Sequence, residues 1–329
     1  MSNYREMPYG DGVIRLDAEH QGRVFAWLEG ERLHRWDQNV ADNPSETDFN
    51  NLGGNSLWPA PEGGPFAFNY PEKEWLVQPG VNTAPSELAM AGMVCRRTVP
   101  LVNHHGTRLQ VTFERRLEGL DDDLAVYAGY GLRFTGYREK DSLAFSAPVA
   151  ESEAVVSAWS LEQFPNPEGV IAFGCVEGDS AAAMNTDFYG DPGKTLRCEG
   201  QWFRFDLGGP EKYQIGLSAA QRPRLIGAFD PKRRLLVTRT CLHTVGKYIN
   251  FADNEQPDGV FSADDQMSLF NGAPLGFFEL EALGPVEYDA EGRVTGSHLT
   301  AESRFWRGEP DKLRRLAEDR LAMPEWIFA

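Results

Sequence analysis

The stretch FFELEALGP (277–285) carries the residues best suited to moving protons. In a strand, Glu279 and Glu281 point to one face and Phe278 and Leu280 to the other. Adjacent carboxylates repel, so one of them keeps its proton to a higher pH. A carboxyl group tuned towards neutral pH is an efficient proton carrier. The same spacing describes an edge strand with a solvated acidic face, and the pattern alone leaves both readings open. A second unusual stretch, NNLGGNSLWPAPEGGPFAF (50–68), sets two glycine pairs around a tryptophan, three prolines and a glutamate. A third, Asp264, Asp265 and Gln266 with Asn271, is a polar cluster suited to sugar hydroxyls or an oxygen-ligated cation. Its spacing is not that of an EF-hand, and no metal or cofactor is assigned. The cysteines Cys95, Cys175, Cys198 and Cys241 lack C-x-x-C spacing and read as reduced core thiols.

The elements that must position these residues are mostly strands. Apolar and polar residues alternate in VFAWL (24–28), RLQVTFERRL (108–117), LAVYAGYGLRF (124–134), AVVSAWSL (154–161), WFRFDL (202–207), KYQIGL (212–217), RLLVTRTCL (234–242) and GFFELEAL (276–283). Turn signals separate them, as in FDPKRR (229–234) and DAEGR (289–293). One helical period stands out: EPDKLRRLAEDRLAM (309–323) places Leu313, Leu316, Ala317 and Leu321 on one face. Residues 38–107 and 247–275 read as long, functional connections. The 329 residues, 41% of them hydrophobic, with 33 Gly and 21 Pro, suit one large all-β domain spanning 1–329. The net charge of -17 argues against nucleic acid or an anionic membrane as partner. No signal peptide or membrane-length apolar run is read, so a cytoplasmic location is expected.

Six stretches, taken in order, resemble the galactose mutarotase-like superfamily, which includes the aldose 1-epimerases, and within it an uncharacterised bacterial branch. They are GRVFAWLEGERLHRW (22–36), LWPAPEGGPFAF (57–68), VPLVNHHGTRLQVTFERRLEGL (99–120), VVSAWSLEQFPNP (155–167), KYQIGLSAAQRPRLIGAFD (212–230) and GFFELEALGP (276–285). The resemblance implies a supersandwich of large antiparallel sheets, a short C-terminal helix and a sugar-binding cleft on one face.

It also implies roles. A glutamate on a late strand, Glu279 or Glu281, would be the base that takes the anomeric hydroxyl proton. The superfamily's acid is a histidine on a middle strand. Here that neighbourhood holds Trp159 and Glu162 instead, so Glu162 is the candidate acid, with His104, His105 and His243 as lesser ones. Sugars present flat apolar faces and a rim of hydroxyls, which an aromatic platform edged by polar groups matches. Trp58 would be the platform and Glu62 the rim acceptor, with Asn103, Arg116, Trp159, Asp265 and Gln266 as further binding residues. The plainer reading of Trp58 is a plug at the end of the sandwich. The reading is of a carbohydrate-binding protein with mutarotase-type acid–base chemistry. Its alternatives are a non-catalytic sugar sensor and a lyase or isomerase for acidic sugars.

Overall fold

The computed structural model describes residues 3–46, 48–68, 77–242, 244–250 and 259–329. Among these residues the chain forms two large antiparallel sheets, of ten and eleven strands. The first runs in the order Tyr4–Tyr9, Gly12–Asp17, Arg23–Leu28, Asn55–Ala60, Ser157–Pro165, Phe277–Leu283, Asp265–Gly272, Tyr213–Ser218 and Met184–Asn185, with Glu31–Arg32 beside Arg23–Leu28. The second has Val294–Arg307 and Arg133–Val149 at its centre, paired from Val294↔Val149 to Arg307↔Arg133. This is the all-β supersandwich expected from the sequence.

The core lies between the sheets, where inward residues of both alternate with outward ones. Ala158 and Phe164 of the first sheet meet Tyr137, Val237 and Phe305 of the second in one apolar cluster. A smaller cluster covers the outer face of the second sheet. There the helix Pro310–Leu321 lays Leu313, Leu316 and Ala317 on Phe134, Leu236 and Trp306. Leu321, expected on the same stripe, packs against this cluster only half-buried.

Three expectations change. LAVYAGYGLRF is not one strand. Leu124–Gly129 is a helical turn that Asp123 caps by accepting from the Ala125 amide at 3.1 Å, and the strand begins at Arg133. The long connection at 247–275 contains a strand, Asp265–Gly272, all of whose residues are buried. The connection at 38–107 likewise contains Asn55–Ala60 and Met93–Val102.

The described cysteines are all free thiols, three buried and Cys198 half-buried. No described helix is long and apolar enough to cross a membrane.

Candidate functional site

Five neighbouring strands of the first sheet form the floor of a cavity of about 340 Å³ on the face turned away from the second sheet. That volume lies within the range of small-ligand pockets, about 300–1,000 Å³. Register decides what the floor displays. Trp58 lies directly opposite Trp159, Gln163 opposite Glu279, and Ser268 opposite Glu281. The strand period of two then sends Trp159, Leu161 and Gln163 into the cavity and Ser160 and Glu162 into the sandwich. Phe270 and Phe277 add aromatic rings to the floor, Phe49, Phe188 and Tyr189 surround it, and Glu62 and Lys212 stand at the sides. Phe49 meets Trp58 edge-on at 4.8 Å.

The two glutamates are held differently. Glu281 accepts from Trp159 Nε1 at 3.0 Å, from Gln214 Nε2 at 2.9 Å, and from the Ser268 hydroxyl. Burial pushes its pKa up to about 7, although those donors pull the other way. Among the described residues Glu279 accepts one bond, from Gln163 Nε2 to Oε1 at 2.8 Å. Burial and then the neighbouring Glu281 charge raise its pKa well above the usual carboxylate range. Glu279, which lines the cavity, therefore holds its proton to a higher pH than an ordinary carboxyl, and among the described residues its Oε2 accepts no hydrogen bond. Gln163 is oriented in turn by Arg35, which lies over Phe277 and donates to the amide oxygen at 3.3 Å. Burial, followed by Glu62, Glu279 and Glu281, also keeps the Tyr189 phenol protonated.

The structure brings together Trp58, Glu62, Trp159, Glu279 and Glu281. It separates the others. Arg116 points outward to solvent; its neighbour Arg115 turns inward and forks onto Asp141, with Nε–Oδ1 at 2.8 Å. Neither arginine reaches the cavity. Asn103 closes its own turn, accepting from the Thr107 amide at 3.0 Å and donating to the Glu153 carbonyl at 2.8 Å.

Asp265 accepts from Asn185 at 3.1 Å, and neither Asp265 nor Gln266 lines the cavity. Glu162 cannot be the acid, because it faces the sandwich interior. There it accepts from His34 Nε2 at 2.8 Å, Tyr137 at 2.6 Å, Arg239 at 3.1 Å and Ser303 at 2.8 Å. Burial alone would raise its pKa, but Arg239, His34 and Tyr137 hold it down at about 2. His104 and His105 do not line the cavity, and His243 lies outside the described residues.

Gln163, Gln214, Ser268, Tyr189 and Lys212 were not singled out from the sequence. Gln163 carried a signal all the same, since it lies four residues after Trp159 on the same strand face.

Among the described residues no group of His, Cys, Asp and Glu is arranged to hold a metal ion.

The chain belongs to a family of unknown function, DUF6786, which it matches over residues 10–323. No curated protein matches it. Solved structures similar to it include a candidate aldose 1-epimerase from Escherichia coli K12, 9% identical with a TM-score of 0.47, the match covering 92% of this chain and 98% of that one. A galactose mutarotase-like protein from Clostridium acetobutylicum is 8% identical with a TM-score of 0.46, over 93% of this chain and 95% of the other. A candidate mutarotase from Salmonella typhimurium is 10% identical with a TM-score of 0.45, over 93% and 90%.

Proposed function

We propose that the cavity binds a carbohydrate and interconverts its anomers, with Glu279 as the proton donor. One observation carries this reading. The opposed tryptophans Trp58 and Trp159 and a protonated carboxyl with an uncommitted oxygen line one pocket. The tryptophans stack on the apolar face of a pyranose, and the amides and carboxylates meet its hydroxyls. In ring opening Glu279 gives its proton to the ring oxygen as the C1–O5 bond breaks. Glu62, which lines the same pocket, takes the proton from the anomeric hydroxyl, whose electrons form the carbonyl. Closure on the other face of C1 reverses both transfers. Glu281 stays with its protein donors, and its charge adds to the burial that raises the Glu279 pKa.

Polarimetry on freshly dissolved α-glucose and α-galactose tests this. Wild type is expected to speed anomerisation, and Glu279→Gln to lower the rate by roughly 10²–10⁴-fold, the usual worth of a positioned acid. Glu62→Gln is expected to fall into the same range.

A second reading, a sugar receptor without catalysis, is favoured by the state of Glu281. The carboxylate with a pKa near neutrality commits both oxygens to protein donors. Sugar-dependent tryptophan fluorescence, with anomerisation no faster than in buffer, would select that reading. Absence of both responses would remove the sugar site itself.

A further inference from the structure

The sugar reading accounts for the glutamates and tryptophans of the cavity but leaves its cation unused. Lys212 lies one residue before the strand Tyr213–Ser218 and two before Gln214, which reaches across the floor to Glu281. The lysine is half-buried and lines the same pocket. Its described contacts are with Tyr189 alone: Nζ lies 4.9 Å from the ring centroid and 3.5 Å from the hydroxyl. Among the described residues no carboxylate pairs with it, although the protein carries a net charge of -17. A cation drawn partly out of water without a counter-charge is costly, and an incoming anion offsets that cost.

Register fixes where this cation stands. Gln214 lies opposite Phe270, and Phe270 opposite Glu279, so these residues form one row across the floor. Lys212 is one step beyond that row, on the side away from Glu281. Trp159 is on the other side, three strand spacings across the sheet, about 14 Å, and about 20 Å along the strands. The tryptophan platform and the lysine therefore occupy opposite corners of the pocket, with the glutamates between them. Burial raises both floor glutamates above the usual carboxylate range, which limits their repulsion of an anion.

We infer that Lys212 is the specificity-determining residue of this pocket and selects a sugar bearing one anionic oxygen group, a carboxylate or a phosphate, remote from its anomeric carbon. This rests on the sugar reading above. Among the described residues no arginine lines the pocket and Lys212 is its one cation, so recognition is by a point charge and not by a bidentate fork.

The test is calorimetric titration of wild type with glucose, glucuronate and glucose 6-phosphate, repeated at low and high salt. At least one anionic sugar is expected to bind roughly ten- to a hundred-fold more tightly than glucose, the worth of a charge-assisted hydrogen bond. That preference is expected to shrink as salt rises. Which of the two anions binds identifies the group. In Lys212→Met the ratio of anionic to neutral affinity is expected to fall to about one, and in Lys212→Arg to be largely kept. Glucose binding as tightly as both anionic sugars would overturn the inference while leaving the sugar site standing, and this comparison needs no variant to fold. An undiminished preference in Lys212→Met would overturn it too. Failure of all three sugars to bind would overturn the sugar reading along with it.

Discussion

Replacing Arg116 with alanine is expected to change stability by less than about 0.5 kcal/mol, whereas replacing Arg115 with methionine costs about 3–5 kcal/mol. Arg116 is exposed. Arg115 is buried between the sheets and donates to Asp141, to the Asn55 carbonyl at 2.7 Å and to Asn55 Oδ1 at 2.9 Å. Its loss strands the Asp141 carboxylate in the interior. Urea unfolding of the two variants reads the difference directly. The pair also shows what single residues disclose. Alternation announces that two neighbouring arginines face opposite ways, but which faces inward depends on a partner strand distant in sequence. Glu279 and Glu281 were legible because their pattern stands out against apolar neighbours. Lys212 and Gln214 were not, because a lysine and a glutamine beside a strand look like ordinary surface until the fold closes over them.

At the level of elements, the Trp58 strand depends on the glycine turn before it. Gly53 has φ +91°, and a Cβ there would sit 2.2 Å from the Arg35 carbonyl oxygen. The Gly54 amide donates to that same oxygen at 2.9 Å. Gly53→Ala is therefore expected to destabilise the fold by more than about 1 kcal/mol and to shift tryptophan emission as Trp58 loses its seat. Thermal melts and emission spectra check both. Arg108–Glu118 was legible because one of its faces is buried and the other is not, and Phe277–Leu283, buried along its whole length, because two glutamates mark one of its faces. Asp265–Gly272 was hidden because it is buried on both faces and opens with polar residues that find partners inside. Leu124–Gly129 misled because its alternation is that of a strand, while the Asp123 cap determines a helix.

For the whole molecule, acid and base act on stability in opposite directions. Glu162 is held at about 2, below its usual 4.5, so its ionised form stabilises the fold above pH 4.5. That contribution fades as pH falls from about 4.5 towards 2. Glu281 is raised to about 7, and Glu279 and Glu139 are raised too, with burial as the first cause in each. These groups weaken the fold as pH climbs above 4.5, because the unfolded chain ionises first. The net charge of -17 at pH 7 adds self-repulsion in the same direction. Stability is therefore expected to peak near pH 5 and to decline towards pH 8, as melting temperatures across that range would show. In Glu281→Gln the decline between pH 5 and 7 is expected to shrink by on the order of 3 kcal/mol, the worth of its shift.

The floor of the cavity also sets a timetable. One of its strands, Ser157–Pro165, is flanked on one side by Asn55–Ala60 and on the other by Phe277–Leu283. A ribosome delivers the first flank early and the second roughly a hundred residues after Pro165, a wait on the order of ten seconds at ordinary synthesis rates. Throughout that interval the nascent chain presents an open strand edge carrying Trp159, Leu161 and Phe164, the kind of edge that recruits stray strands or a chaperone.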